Sequence, residues 1–466
     1  MSRRTAVLSA FALGALAPFA AAQSLTTLPG FEIEALVGQT DVILSGGFGG
    51  TAATHEAGVT ESLPGAKIIL DSNLDGSVHV GMQFGPEGQE PRRWTEANGW
   101  KDMPLAPEAT VANSAPLGMS DDGDVVVGYG RGGDPFAPNF FAWRWTEAAG
   151  TVALTDPLTD ASLAYVVSGN GERVGGNRAI VGVTASLPTL WDENGQPQDV
   201  FEPGQPGYGV AGLITVLNSD GLRGAGLVGS SPFVWSKTGG AVILPRLDGI
   251  PSFWDMRPQG MADDGSMVFG DVTGVFGGES WIWVEGLGTR TVASLAAQLE
   301  LVPAASSSPF QWARDCHRDG LTLAGHQPNA GSSDGWVLEL PAGGVGLIAD
   351  LGQGLSGDYT PEAACFGTLA GGATTRLTLT GAQPSLDGHW VVGLSRVDAP
   401  LKGGVLVPHP DLLVPFLTKP DGTLALDFAW PVGVPSGFST YVQGWMKDTG
   451  APKNFAATNA LELKAP

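Results

Sequence analysis

Asp71-x-Asn73-x-Asp75-Gly76-Ser77 sets three oxygen-bearing side chains at alternate positions ahead of a glycine turn. A loop that wraps calcium, a hard cation taking roughly six to eight oxygens, uses this spacing. The position where an EF-hand needs a bidentate Glu is Met82, and the flanks read as strands. A solvated hairpin turn uses the same residues, so both readings stand here, and calcium is the cofactor the first would take. Asp121-Asp122 and Asp263-Asp264 admit the same pair of readings.

Other chemistry is thinly marked. His55, His79, His317, His326, His389 and His409 show no H-x-x-x-H or H-E-x-x-H spacing, and no C-x-x-C occurs, so no zinc site is read. No G-x-S-x-G elbow is present, and GGFGG at 46–50 lacks the Lys and the helix of a phosphate loop. The carboxylates are too many for a glycosidase pair to be picked out, because such a pair is defined by separation in space. No catalytic residue is therefore assigned. Trp100, Phe141, Trp143, Trp281 and Trp312 fall outside the spacing of the other aromatics and are the expected exposed ligand contacts. Cys316 and Cys365, the two cysteines, are expected to form one disulfide in an exported chain, with free thiols as the alternative.

The elements that must carry these residues are short strands. Asp-Gly or Asn-Gly turns place glycines at 76, 123, 171, 221, 265 and 320, a period of about 49 residues. Each turn is followed by an apolar run such as Val125-Val126-Val127, and then by a strand marked by Trp94, Trp145, Trp191, Trp235, Trp283 or Trp336. Asp-Gly and Asn-Gly tolerate the positive φ of tight hairpins. One such unit cannot bury both its faces, so neighbours must cover it. The expected fold is all-β: a six- or seven-bladed β-propeller over 23–366, then a small β-sandwich over 367–466. Six blades are read directly. A seventh could be assembled from about 344–364 with strands from 24–68, although closure by both chain ends is not visible in the pattern. SLDGHWVVG at 385–393 mimics the repeat turn, which leaves a further blade as the alternative to a separate C-terminal domain.

MSDDGDVVVG with FFAWRWTEAAG, and MADDGSMVFG with SWIWVEGLG, resemble the HAF-type extracellular repeats of exported bacterial proteins, in which S-x-DG-x-VVVG is followed by an A-F-R-W segment. The resemblance covers about 70–340 and implies propeller-like blades without an assigned activity. It departs at Asn170 and at Cys316-His317. The final segment ATNALELKAP resembles a short C-terminal β-domain of secreted planctomycete- and myxobacterium-type proteins, which implies an accessory module.

With 47 acidic against 24 basic residues the chain carries −23, a balance that repels nucleic acid and anionic lipid. Arg3-Arg4, an apolar run to Phe19 and Ala20-Ala21-Ala22 before Gln23 have the layout of a secretory signal peptide over 1–22. No later segment is long and apolar enough to span a membrane. The sequence thus describes a secreted, periplasmic or cell-surface repeat protein with a binding or structural role, its partner an extracellular glycan or a surface protein. A polysaccharide-active hydrolase or lyase on the same scaffold is the alternative. Oligomeric state is not written in the pattern.

Overall fold

The computed structural model describes residues 24–466 except 30–31, 38–40, 46–52, 57–58, 63–67, 86–87, 110–112, 135–136, 155–157, 184, 248, 274–277, 286, 300, 302–309, 330–331 and 341–345. The signal-peptide expectation lies outside the described residues. Among them, no helix is long and apolar enough to cross a membrane. The chain is all-β and divides into two units, one built from 24–293 and 306–339, the other including 340–466.

The first unit contains seven four-stranded antiparallel sheets with strands in sequence order. They lie within 32–62, 68–102, 115–153, 159–199, 212–243, 255–291 and 313–339, and are called first to seventh below. Their leading strands touch one another in cyclic order, and the seventh returns to the first, which gives a propeller-like arrangement. The seventh sheet takes its fourth strand from the other end of the unit: Ser24–Pro29 pairs antiparallel with Ser332–Glu339. The expected patchwork blade is therefore corrected. Residues 32–62 make a whole sheet alone, whereas Leu347–Asp350 and Glu362–Phe366 pair with strands of the C-terminal unit. The unit boundary falls near 340, not 367.

The repeat signature is explained by one hydrogen-bonded turn, built six times. In each, the glycine N–H donates to the carbonyl three residues back, and that earlier residue's N–H donates to the carbonyl two residues beyond the glycine, as in Gly123 to Ser120 and Ser120 to Val125. All six glycines have φ between 68° and 75°. The residue before the glycine accepts, on its side-chain oxygen, the N–H two positions on: Asp75, Asp122, Asn170, Asp220, Asp264 and Asp319 all do so. This is an Asx turn, which is why Asn170 substitutes for Asp without loss.

A second glycine, five residues after the turn, has a different reason. A Cβ on Gly128 would lie 2.0 Å from Ala115 O and 2.7 Å from the Trp143 ring, and one on Gly270 would lie 2.2 Å from Arg257 O and 2.7 Å from the Trp281 ring. Trp143, Phe233, Trp281 and Trp336 stand directly across from this column and pack onto it. The buried clusters lie between adjacent sheets. Val78, Val80 and Met119 join Trp143 and Trp145, while Val125 and Val127 face the other way toward Val167, Val174 and Trp191. Strand alternation thus supplies both neighbours from one sequence run.

In the C-terminal unit a five-stranded and a three-stranded antiparallel sheet share one core containing Leu377, Leu379, Trp390, Val442, Leu461 and Leu463. Asp387-Gly388 opens a strand that pairs on both sides, so SLDG is not a repeat turn here.

Gly123→Ala and Gly150→Ala separate conformation from packing. Both positions have positive φ, a strain of about 1–2 kcal/mol for an L-residue. A Cβ at 123 also meets Val78 at 2.9 Å, whereas at 150 nothing lies within 4 Å. Urea unfolding is expected to show the larger loss for Gly123→Ala. Equal losses would show that the turn does not help to hold the adjacent sheet.

Candidate functional site

Each leading strand is broken by a β-bulge where it pairs with the second strand, for example between Ile69 and Asp71, between Ala164 and Val166, and between Ala313 and Asp315. A bulge re-aims one side chain. In the second to seventh sheets that residue is Leu70, Leu117, Tyr165, Thr215, Gln259 or Arg314. Each is half-buried although the residue before it is buried, because it points at the cavity. All seven leading strands line this space, whose volume is about 350 Å³.

One end is tied by a charged cross-link. The residue two before each turn glycine forms a column of Leu74, Asp121, Gly169, Ser219, Asp263 and Arg318. Arg318 Nη2 donates to Asp121 Oδ1 at 2.6 Å, its Nη1 donates to Leu217 O at 2.9 Å, and Asp263 lies 3.9 Å away. Ser219 Oγ, with one proton to give, lies 2.8 Å from Asp263 Oδ2 and 3.2 Å from Asp121 Oδ2. Burial alone would pull the Arg318 pKa down, but the Asp121 carboxylate beside it holds it above the ordinary arginine value.

Deeper in the cavity stand Asp71 and Asp315. Asp71 accepts from the N–H groups of Ser72 and of Met119 in the next sheet, and Asp315 accepts from those of Cys316 and of Leu36 in the next sheet. Each carboxylate thus staples its sheet to a neighbour. Burial pushes Asp71 up to about 7 despite these bonds, with the nearby Asp315 adding to the rise; burial also raises Asp315. The remaining wall brings Arg257, Arg314, Gln259, Tyr165 and Thr215 together.

The residues expected to do chemistry are distributed otherwise. Asn73 donates to Asp75 and Ser77, and Asp75 is occupied by Ser77 and Asn73, whereas Asp71 bonds across to Met119. The triad is divided between a turn and a sheet contact and does not form one ligand set. Among the described residues no group of three or more His, Cys, Asp or Glu could hold a metal ion. Phe141, Trp143 and Trp281 are 8%, 1% and 0% exposed, so they are core residues and not ligand contacts. The two indoles are satisfied internally, Trp143 donating to Ser114 Oγ and Trp281 to Asp271 O. The signal for this was W-x-W at 143/145 and 281/283, which puts both rings on one strand face. Trp100 and Trp312 are half-buried, and Trp312 stacks on His326. Neither lines the cavity.

The expected disulfide is also corrected. Cys316 and Cys365 are free and buried, Cys316 against Gly260 in the first unit and Cys365 within the core of the second. No motif had singled out the bulge residues. Their signal is a column six residues before each turn glycine in which Leu, Leu, Tyr, Thr, Gln and Arg alternate freely.

No family model matches the chain, and no curated protein matches it. Among solved structures it is similar to TolB from Acinetobacter baumannii (14% identity, 55% of this chain and 61% of that one, TM-score 0.35). It is also similar to the Cps50 (Swd1) β-propeller domain of Myceliophteria thermophila (12% identity, 68% and 99%, TM-score 0.44) and to a prolyl endopeptidase (10% identity, 92% and 63%, TM-score 0.42). The chain thus spans under two thirds of the TolB and endopeptidase chains. The seven-sheet description stands on strand pairing alone.

Two outcomes follow. Burial lifts the Cys316 thiol well above its ordinary value and Cys365 to about 12, so neither should alkylate in the folded protein. In denaturant without reductant the intact mass should rise by two labels, and a chain that takes labels only after reduction would restore the disulfide. Asp71 keeps its proton to a higher pH when folded than when unfolded, so its contribution to stability falls as pH rises from about 3.8 to about 7. Asp71→Asn removes this dependence. Urea unfolding of the two proteins should therefore diverge across that window, and parallel curves would count against the assignment.

Proposed function

We propose that this chain is an exported binding protein: a seven-bladed β-propeller with a small β-sandwich, whose axial cavity receives one small polar ligand. The observation that carries this reading is the cavity, lined by one bulge residue from each of the second to seventh sheets. Its volume of about 350 Å³ lies at the lower end of the range of ligand sites, roughly 300–1,000 Å³, and suits a single ring better than a polymer. Charged and hydroxyl-bearing groups converge there from several sheets, which is how such sites fix orientation. Export is supported by Arg3-Arg4, the apolar run to Phe19 and Ala20-Ala21-Ala22, and by the likeness to HAF-type repeats. The periplasm, the cell surface or the medium is then the compartment, and an extracellular glycan component is the ligand class that best joins location and size.

The second reading, a polysaccharide hydrolase or lyase, draws on Asp71, because a carboxyl lifted to about 7 can donate a proton. Two main-chain N–H groups already bind its oxygens, and among the described residues no tryptophan lines the cavity. Binding is therefore the better-supported reading.

Thermal unfolding of the purified protein against monosaccharides, sugar acids and amino acids tests it. One class should raise Tm, and the rise should vanish in Leu117→Trp, which fills the cavity from a half-buried position. A panel without effect, or a rise that survives this substitution, would overturn the axial site. Release of reducing ends from a polysaccharide, lost in Asp71→Asn, would favour the enzyme.

A further inference from the structure

We propose that the axial cavity binds a small carboxylate-bearing sugar, a hexuronate in free form or at the end of a glycan chain, with Arg257 and Arg314 holding the carboxylate. This deepens the axial-site reading and rests on it.

The two arginines come from the leading strands of the sixth and seventh sheets, which touch, and both line the cavity. Arg257 lays its guanidinium carbon 5.5 Å from the centre of the Tyr165 ring, and its Nε is buried without a hydrogen-bond partner. Arg314 is 6.0 Å from the centre of the Trp312 ring, and its Nε lies 3.4 Å from His326 Nδ1. Among the described residues neither forms an ion pair, whereas Arg318 in the same wall is held by Asp121 at 2.6 Å. The carboxylate acting on both is Asp271, which is buried and hydrogen-bonded to Gln259 Nε2. Two guanidinium groups left without an ion-pair partner in a chain of net charge −23 are costly to desolvate, and a bound anion relieves that cost. Their planar donor forks match a carboxylate.

The rest of the wall suits hydroxyl groups. Tyr165 and Gln259 stand beside the arginines, with the Gln259 amide nitrogen already engaged and its oxygen left to accept. Asp71 and Asp315 face the same space with their oxygens engaged by main-chain N–H groups, and burial shifts both toward the neutral form. A singly charged ligand is matched to this wall. A doubly charged phosphate would bring a second negative charge into a wall that already holds the Asp121 carboxylate.

Calorimetric titration of the full chain with glucuronate, glucose, acetate and inorganic phosphate tests this, alongside Arg257→Gln, Arg314→Gln and Arg257→Lys variants checked for an unchanged fold by circular dichroism. Glucuronate should bind at least tenfold more tightly than glucose or acetate. Each Gln variant should lose at least tenfold toward glucuronate and little toward glucose, and Arg257→Lys should recover part of the loss. A glucuronate-terminated oligosaccharide binding as tightly as the monosaccharide identifies a chain end as the source; tighter binding of the free sugar identifies the free form. Glucose binding as well as glucuronate, with the Gln variants unaffected, would overturn the carboxylate while leaving the axial site in place. Phosphate binding more tightly than glucuronate would also overturn it. If no probe binds, or if binding persists in Leu117→Trp, the axial reading itself fails.

Discussion

A side-chain oxygen accepting the N–H two residues along is the interaction on which the rest of the repeat unit depends. In six turns it fixes the backbone so that glycine must follow, and the hairpin is closed by bonds within the turn itself. Ser120 and Ser168 extend this by donating to Asp122 and Asn170 while accepting from Val125 and Arg173. In the seventh sheet, His317 takes the serine position and stands 3.0 Å from Asp319. Because the turn is closed on itself, the residue at its outer corner is free to hand a bond to the next sheet. Leu74 donates to Asp121 O, Asp121 to Gly169 O and Asp263 to Arg318 O, so the same turn that closes a hairpin also sets the register between sheets.

The bulge two strand positions away has the complementary effect. It brings the leading strand's carbonyl so close to the second strand that a Cβ cannot fit, which demands glycine there, and it turns one side chain out of the inter-sheet core. That side chain lines the cavity. A propeller-like arrangement made for packing reasons therefore acquires an axial column in which Leu70, Leu117, Tyr165, Thr215, Gln259 and Arg314 differ in type while sharing a position.

This division explains what was legible in the sequence. The turn, the apolar strand and the aromatic strand recur because backbone and core constraints repeat, and from them the all-β class and six of the seven sheets could be read. Residues 32–62 were not recognised, since the sheet they form has neither an Asp-Gly turn nor a Trp marker. Pairing of Ser24–Pro29 with Ser332–Glu339 joins segments some three hundred residues apart, and such pairing leaves no local pattern. Trp143 and Trp281 were misread because two aromatic columns were counted as one. The cavity was invisible for the opposite reason: its residues share a position and not a type.

Arginine use sharpens the contrast between scaffold and site. Arg93 donates to Gly123 O and stacks over Trp145, and Arg144 donates to Gly171 O, so each satisfies the turn glycine of the adjoining sheet. Arg173 covers Trp235 in the same manner. These side chains bury their length on a neighbour and spend their charge on its backbone carbonyl, which is structural work that the repeat reuses. Arg318 is neutralised by Asp121. Arg257 and Arg314 also lie over rings, those of Tyr165 and Trp312, but they line the cavity, bond no turn carbonyl and have no carboxylate in ion-pair reach among the described residues. Among these residues, lack of an ion pair is common to Arg93, Arg144 and Arg173 as well; what sets Arg257 and Arg314 apart is that they stand on adjacent leading strands and both line one cavity, where an anion from outside the chain could meet them.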